Sequence, residues 1–382
     1  MDFESLFDIP IDDLHTPCYL TDARLLQKNT ALLKQIQQRT GCKILLAQKA
    51  FSMFSVYPLI RDDLAGTTAS GLFEAKLGRE HFGKEVHVFS PAYTQEDFTQ
   101  LLELCDHIVF NSFGQWKKYR QQVQDATRNI SCGIRINPGY AEVETDLYNP
   151  CISGSRMGVP LEQMEDDFAG LDGIHFHTMC EQNSDVLERT LDHMLPQFDK
   201  WLKRCKWVNF GGGHHITRPD YDVERLVRCI ERVRDTYGVQ VYLEPGEAVA
   251  LNAGYLVATV LDVVHNGMDI AILDASAACH MPDVLEMPYR PHILYSGTAG
   301  EKTHTYRLAG NTCLAGDVIG DYSFDHQLQS GEKLVFCDMA IYSMVKNNTF
   351  NGVPLPDIAL YQNGHIDLVK RFGYADFEGR LS

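Results

Sequence analysis

The sequence predicts an α/β fold: a (β/α)8 TIM-type barrel followed by a C-terminal all-β domain. Eight short β-rich runs alternate with longer amphipathic stretches between residues 43 and 245. Eight strand–helix repeats within about 200 residues favour a closed barrel over an open, doubly wound sheet. The open sheet should carry a glycine-rich fingerprint after an early strand, whereas the glycine triplet of this chain follows the seventh run.

The predicted elements can be placed along the chain in order. After Gly254, strand-like runs separated by turn signals predict a second domain made of β-strands. We expect the barrel at residues 21–252 and the β-domain at 253–382, joined by the N-terminal segment 1–20. The predicted barrel strands are residues 43–49, 66–70, 85–90, 106–111, 132–137, 173–177, 207–211 and 239–244. The strand-like runs of the second domain are residues 257–264, 269–273, 303–308 and 332–336.

Composition and charge argue against several classes of protein. The chain has 382 residues, of which 45% are hydrophobic, so it can bury a substantial core. Its formal net charge of -17 argues against nucleic acid and favours cationic small molecules as partners. No run approaches the roughly 18 apolar residues of a membrane span, and the acidic start Met1–Ser5 is unlike a secretory signal. The 11 scattered cysteines are typical of reduced thiols, so we predict a cytoplasmic protein.

Lys49 is the first candidate catalytic residue. Active sites of (β/α)8 barrels form where the strands end at their carboxyl side. Lys49 ends the first apolar run, Ile44-Leu45-Leu46-Ala47-Gln48-Lys49, where burial would disfavour its ammonium form. A neutral lysine amine is the nucleophile that forms a Schiff base with a carbonyl group.

Two further strand ends carry groups that suit a flat, anionic cofactor. Gly211, Gly212 and Gly213, here called the glycine loop, end the seventh run. Their amides can approach a phosphate closely because glycine lacks a Cβ atom, although an ordinary flexible loop is the alternative. Glu244 ends the eighth run and must either stay protonated or have a cationic partner, which could be an arginine or a protonated ring nitrogen.

Two histidines end the sixth run. His175 and His177 are two residues apart on a strand, so their side chains point to the same side. They could bind a metal ion, as could His214 and His215, but no carboxylate or cysteine shares their immediate spacing, and no metal is predicted. One imidazole stacked on a cofactor ring is the preferred interpretation. With the lysine, the glycine loop and the glutamate, this histidine describes a pyridoxal 5'-phosphate site.

Seven motifs spread over nearly the whole chain indicate a family. With them, the chain resembles the pyridoxal phosphate decarboxylases of the alanine racemase fold, which include ornithine, arginine and diaminopimelate decarboxylases. Within this family it is most similar to the bacterial carboxynorspermidine and carboxyspermidine decarboxylases. The motifs are Thr16-Pro17-Cys18-Tyr19, Leu46-Ala47-Gln48-Lys49-Ala50-Phe51, Phe210-Gly211-Gly212-Gly213, Leu243-Glu244-Pro245-Gly246-Glu247, residues 281–291, residues 310–317 and Thr349-Phe350-Asn351-Gly352.

The resemblance implies roles for residues of both domains. Lys49 would attach the cofactor covalently, His177 would stack on its ring, the glycine loop would bind its phosphate, and Glu244 would pair with its ring nitrogen. Tyr342 would contact the phosphate from the β-domain. Cys313 of the partner subunit would complete the site and return a proton to the substrate carbon, with Lys49 as the alternative donor. The resemblance therefore implies a homodimer with shared active sites.

Two departures from the family pattern concern the substrate. The motif Glu-Pro-Gly-Arg of the wider family ends here in Glu247, and Leu314 replaces the acidic residue that follows the cysteine in the diaminopimelate and ornithine enzymes. Both changes favour a long substrate with ammonium groups. We therefore expect decarboxylation of carboxynorspermidine or carboxyspermidine, which differ by one methylene group. The predicted substrate-binding residues are Glu247, Asp283, Asp317 and Arg290.

Three alternatives stay open at this point. A decarboxylase of the same fold could act on diaminopimelate, ornithine or arginine, which Glu247 and Leu314 argue against. An amino-acid racemase would need a tyrosine base on the second face of the ring and would keep the substrate carboxylate. A regulatory homologue without activity would not need Lys49, Glu244 and Cys313 together.

Overall fold

The computed structural model describes Glu4 and residues 7–382. The described chain divides into two compact units. The first unit is Gln27–Val249, and the second combines the described part of Met1–Leu26 with Ala250–Ser382. Each unit has its own sheet. The predicted limits of 21–252 and 253–382 stay a prediction about how the chain is divided.

The strands and α-helices are numbered here in chain order. The strands are β1 (Cys18–Asp22), β2 (Lys43–Ala47), β3 (Gly66–Ala69), β4 (Glu85–Phe89), β5 (His107–Phe110), β6 (Ser131–Asn137), β7 (Val159–Pro160), β8 (Gly173–His175), β9 (Trp207–Asn209), β10 (Gln240–Leu243), β11 (Gly254–His265), β12 (Asp269–Leu273), β13 (Gly297–Thr298), β14 (His304–Ala309), β15 (Val318–Phe324), β16 (Lys333–Cys337), β17 (Asp357–Gln362) and β18 (His365–Lys370). The α-helices are α1 (Ala23–Thr40), α2 (Tyr57–Ile60), α3 (Leu72–Leu77), α4 (Gln95–Leu104), α5 (Phe113–Gln124), α6 (Ser184–Leu202), α7 (Val223–Tyr237), α8 (Glu247–Ala250), α9 (Ala277–His280), α10 (Asp283–Glu286) and α11 (Tyr374–Glu378).

The first unit is a closed barrel of eight parallel strands. Their order is β5-β4-β3-β2-β10-β9-β8-β6, and the pairing of β5 with β6 closes the ring. The short strand β7 pairs with the end of β6. Each of the eight predicted barrel runs contains or overlaps one of these strands, so the predicted barrel is confirmed.

Close packing inside the barrel explains why two of its strand positions are glycines. The Trp207 ring lies so near Gly133 and Gly173 that a Cβ atom there would meet ring atoms at 2.3 and 2.1 Å. Any larger residue would have to displace a buried indole. The apolar cluster around this ring contains Leu45, Val109, Trp207 and Tyr242.

The second unit is built on a nine-stranded mixed sheet, as the predicted all-β domain requires. The strand order is β13-β15-β14-β12-β11-β1-β17-β18, with β16 also paired to β11. The N-terminal strand β1 is antiparallel to β11 and parallel to β17, so both of its edges are hydrogen-bonded. Among the described residues, no helix is long and apolar enough to cross a bilayer.

Candidate active site

The predicted cofactor residues of the barrel meet at one rim. Lys49 follows β2, His177 follows β8, the glycine loop follows β9 and Glu244 follows β10. Because all eight strands are parallel, their carboxyl ends open at the same side of the barrel. The fold therefore brings these predicted residues together.

Lys49 lies in the turn after β2, and its side chain is exposed. The protein around the amine still removes much of its hydration. This desolvation, followed by the nearby charge of Arg135, lowers the pKa of Lys49 from its usual value. A lowered pKa gives the amine more of the neutral, nucleophilic form at neutral pH.

Glu244 is a buried carboxylate with two side-chain donors. Asn209 donates to one of its oxygens at 2.8 Å, and the His175 ring lies 3.3 Å from the other. Burial alone would raise the pKa of Glu244, but His175, with smaller contributions from His87 and Asn209, lowers it to about 2. Burial also lowers the pKa of His175, so we assign a neutral ring that donates its Nε2 hydrogen to an ionised Glu244.

His177 presents a neutral imidazole at the rim. The Gly212 amide donates to its Nδ1 at 3.2 Å. Burial, followed by the charges of Lys49 and Arg135, lowers the pKa of His177 well below its usual value. The ring nitrogens of His175 and His177 and a carboxylate oxygen of Glu244 lie within 4.8 Å of one another, so this group could also hold a metal ion. A second group with that spacing is Glu85, His87 and His107.

The glycine loop depends on the absence of side chains. Gly211 and Gly213 have positive φ angles of 68° and 81°, a region that glycine enters without steric cost. A Cβ atom on Gly213 would lie 2.0 Å from the Met179 carbonyl oxygen, and one on Gly212 would lie 2.7 Å from that of Glu244. Only glycines let the loop pack this closely at the rim.

Two polar residues of the site escaped the sequence analysis. Arg135, within β6, is almost completely buried, donates to the His177 carbonyl at 3.2 Å and lies 4.6 Å above the Phe89 ring. Burial lowers its pKa to about 10, and the charge of Glu244 opposes this shift. The second residue is Asn209, which donates to Glu244. A charged or amide residue inside a short apolar strand is the signal that could have identified both.

Glu247 begins α8, close to a histidine that follows the glycine loop. Its carboxylate lies 3.5 Å from Nε2 of His215. Glu247 is partly exposed, whereas His215 is buried with 8% of its surface accessible.

The remaining predicted site residues belong to the second unit, where several already have local partners. Cys313 is exposed, and its amide donates to the Asn351 side chain at 2.7 Å. Tyr342 is partly exposed and has a positive φ of 50°. Asp283 pairs with Lys346. Asp317 accepts hydrogen bonds from Ser276, Ala278 and Thr312. Arg290 lies over the Tyr322 ring and donates to the carbonyls of Asp321 and Gly297.

Comparison with known families agrees with this geometry. The family model described as "Pyridoxal-dependent decarboxylase, C-terminal sheet domain" matches residues 18–340. The chain belongs to the pyridoxal-dependent decarboxylases. The predicted family and cofactor, pyridoxal 5'-phosphate, are therefore confirmed, and the chain is a carboxy-lyase.

Two characterised relatives are equally similar to this decarboxylase over nearly their full length. The carboxynorspermidine/carboxyspermidine decarboxylase of Campylobacter jejuni is 41% identical, covering 97% of this chain and 99% of that protein. The carboxyaminopropylagmatine decarboxylase of Synechocystis is also 41% identical, covering 97% and 96%. A carboxynorspermidine/carboxyspermidine decarboxylase of Herminiimonas arsenicoxydans is 35% identical, covering 97% and 100%.

Solved structures agree with the fold. The crystal structure of carboxynorspermidine decarboxylase from Campylobacter jejuni, complexed with norspermidine, has a TM-score of 0.89 at 40% identity and covers 96% of this chain and 100% of that one. A diaminopimelate decarboxylase from Helicobacter pylori has a TM-score of 0.82 at 18% identity, covering 97% of each chain, which supports the fold alone.

The residues at the barrel rim fit pyridoxal phosphate. The rim has a lysine amine of lowered pKa, an ionised carboxylate and a neutral imidazole. Beside them is a loop of glycines that is packed too closely to accept a Cβ atom. The carboxylate suits a protonated ring nitrogen, and the imidazole offers a flat face to an aromatic ring. The donor set at this rim is therefore the one that this cofactor requires.

Proposed function

We propose that this decarboxylase converts carboxynorspermidine to norspermidine and carboxyspermidine to spermidine, as a step of polyamine biosynthesis. The observation that carries the proposal is the 41% identity, over nearly the whole of both chains, to an enzyme named for these two substrates. A solved structure of an enzyme of this name contains norspermidine, which is the product of the first reaction. Diaminopimelate decarboxylases are more distant, with 21–25% identity.

In this proposal the barrel residues hold the cofactor and control protons around it. Bound pyridoxal phosphate supplies the electron sink that accepts the electron pair left when carbon dioxide departs. Glu244 keeps a proton on the ring nitrogen because its carboxylate, whose pKa is lowered, stays ionised and pairs with the positive charge. Lys49 holds the cofactor through its amine, His177 covers one face of the ring, and the glycine loop binds the phosphate.

Residues of the second unit are proposed to complete the site. Tyr342 contacts the phosphate, and Cys313 of the partner subunit returns a proton to the carbon that lost carbon dioxide, with Lys49 as the alternative donor. This arrangement makes the active enzyme a homodimer with two shared sites. We also propose that it works in the cytoplasm without nucleic-acid or membrane partners, which its net charge of -17 supports.

Substrate recognition is proposed to rest on carboxylates that attract ammonium groups. Glu247 is the best placed, because it belongs to the same unit as Lys49 and begins the helix after Glu244. Asp283, Asp317 and Arg290 stay proposed substrate contacts. Each of them would have to give up a local partner, such as Lys346 for Asp283, before it could bind a substrate group.

A second candidate substrate is carboxyaminopropylagmatine. The Synechocystis enzyme named for this compound is as similar to the chain as the Campylobacter enzyme, at 41% identity. The two substrate classes differ at the far end, where a guanidinium group replaces an ammonium group. Planar guanidinium favours bidentate contacts with a carboxylate, whereas ammonium binds as a point charge.

Side-by-side turnover tests the proposal. Carbon dioxide release from carboxynorspermidine, carboxyspermidine, carboxyaminopropylagmatine, diaminopimelate, ornithine and arginine would be compared as kcat/KM. We expect the two carboxylated triamines to lead and to differ from each other by no more than about 200-fold, because one methylene contributes about 1–3 kcal/mol. Faster turnover of carboxyaminopropylagmatine would establish the second candidate, and retention of the carboxylate during turnover would contradict both.

A further inference from the structure

Most amides of the glycine loop already have partners. The Gly211 amide donates to the Asn209 side chain at 2.9 Å, and the Gly212 amide donates to His177. For the Gly213 amide, no acceptor occurs among the residues that the structure describes. A phosphate group offers three terminal oxygens that accept hydrogen bonds, so further donors are needed beside Gly213.

His215 is a buried side chain whose ring nitrogens make no well-formed hydrogen bond within the described chain. It lies two residues after the loop, and 8% of its surface is accessible. Neither ring nitrogen has a hydrogen bond of good geometry to any described residue. Buried polar atoms nearly always have partners, because leaving one unsatisfied costs free energy. An imidazole whose contact with the Glu247 carboxylate is as long as 3.5 Å therefore has hydrogen-bonding capacity left for a ligand.

The surroundings of His215 connect it with Gly213 and Lys49. The Cys180 amide nitrogen lies 2.8 Å from the position of a Cβ atom on Gly213. The Cys180 thiol is in turn close enough to Glu247 and Lys49 for their charges to shift its pKa. Glu247, whose carboxylate is 3.5 Å from His215, thus belongs to the same corner of the rim.

Electrostatics gives the His215 imidazole a role between Glu247 and a bound phosphate. A carboxylate next to a bound phosphate repels it, whereas a protonated imidazole between the two anions attracts both. Burial, followed by Arg218, lowers the pKa of His215 to about 4, and the Glu181 carbonyl and Asp220 oppose this shift. A phosphate dianion beside the ring would raise that pKa.

We propose that His215 is a phosphate-binding residue for pyridoxal phosphate and that Glu247 positions it. The proposal rests on the glycine loop as the phosphate site. It adds a side-chain donor from the barrel unit, and it gives one oxygen of Glu247 a role besides substrate recognition. The ligand chemistry is that of a phosphate monoester.

The test measures, by absorbance titration, how tightly the apoenzyme binds pyridoxal phosphate and how tightly it binds pyridoxal, which lacks the phosphate. We expect His215→Leu to weaken pyridoxal phosphate binding by about 10- to 100-fold, the range of one charge-assisted hydrogen bond, and to leave pyridoxal binding nearly unchanged. His215→Gln retains a donor and should lose less. His193→Gln, an exposed histidine on α6, is the matched control and should change neither.

The sign of the Glu247→Gln effect tests the positioning role. If the Glu247 carboxylate only repels the phosphate, the Glu247→Gln variant should bind pyridoxal phosphate more tightly than the wild type. If the carboxylate holds a protonated His215, the variant should bind pyridoxal phosphate more weakly. This second result is the one we expect. Tighter binding would overturn the positioning role.

Three controls distinguish a phosphate contact from a folding defect and from a substrate contact. Unchanged thermal unfolding of the apoenzyme variants would establish that they fold. Equal losses for pyridoxal phosphate and pyridoxal, or none, would overturn a phosphate contact. A raised KM for the carboxylated triamines with normal cofactor affinity would instead assign His215 to the substrate. Wild-type turnover is measured separately, so failure of the proposed substrate would leave the binding result intact.

Discussion

Glu244 combines nearly complete burial with an ionised state, and the donors around it explain why. Asn209 and His175 replace the water that the carboxylate lost on folding. A sequence can place the carboxylate at a strand end, but not the two donors, because they come from separate strands that only the closed barrel brings together. Arg135 does carry a sequence signal, a charge inside an apolar strand, but its contact with the His177 carbonyl likewise forms only in the closed barrel.

Replacing Glu244 by Gln removes the negative charge and nearly preserves the shape. We expect kcat to fall by about 100- to 1000-fold, since a neutral amide cannot stabilise a protonated ring nitrogen as the electron pair arrives. The protein should still bind pyridoxal phosphate. Steady-state kinetics on cofactor-saturated enzyme checks this, with Asn209→Ser as a control that should lose less. A Gln variant with wild-type kcat would remove Glu244 from the site.

Replacing Lys49 by Ala should abolish covalent attachment of the cofactor. We expect kcat to fall by at least about 1000-fold, because both the nucleophile and a candidate proton donor are lost. Borohydride reduction followed by mass spectrometry would find the cofactor on the wild-type peptide and not on the variant. Lys76→Ala, a lysine on α3, is the control and should leave both measurements unchanged.

At the scale of elements, periodicity predicted the barrel strands well because most of them are short, apolar runs between longer amphipathic stretches. The strands of the second unit were harder to find. β15 contains Gly320 and Asp321, and β18 is largely exposed, so neither has the apolar alternation that reveals a strand. Their pairing partners in the sheet decide their structure, which a local pattern cannot show.

Strands β2 and β4 are joined by a charged contact inside the barrel. Lys43 on β2 pairs with Glu85 on β4, which also lies 3.2 Å from His87 and 3.2 Å from the Tyr242 hydroxyl. Burial would raise the pKa of Glu85, but His87 and Lys43 lower it to about 2. A depressed pKa stabilises the fold above the unfolded value of 4.5, and this stabilisation is lost as the pH falls towards 2.

Glu85→Gln should therefore lower the free energy of unfolding by about 1–3 kcal/mol at pH 7, given partial exposure of the pair. The difference from wild type should persist above pH 4.5 and shrink as the pH falls towards 2. Urea unfolding at several pH values measures it. Asp166→Asn, in an exposed pair with Lys200, is the control and should have no measurable effect. A pH-independent loss for Glu85→Gln would contradict the ionic explanation.

At the scale of the whole molecule, the proposed shared site makes a prediction about mixtures. Lys49→Ala and Cys313→Ala should each be nearly inactive alone. In a randomly exchanged mixture, about half of the dimers are hybrids with one intact site, so activity should return to about a quarter of wild type. Turnover after subunit exchange checks this. If activity did not recover, Lys49 and Cys313 of the same chain would have to belong to the same site.

The overall negative charge of -17 should influence how cationic substrates are captured. Raising ionic strength from about 0.02 to 0.5 M shortens the screening length from about 20 Å to about 4 Å, so KM for carboxynorspermidine should rise several-fold while kcat stays constant. Sodium and choline chloride should act alike if screening is the cause. A KM that does not respond to salt would limit recognition to short-range contacts.

The position of β1 has a consequence for how the protein is made. Strand Cys18–Asp22 is hydrogen-bonded on one edge to Gly254–His265 and on the other to Asp357–Gln362, and all the barrel strands lie between it and these two partners in the sequence. Its second neighbour, β17, is therefore made only after all the barrel strands and after β11 to β16. A nascent chain that already contains all the barrel strands still carries β1 with unpaired edges, and this sheet can close only after β17 has been made.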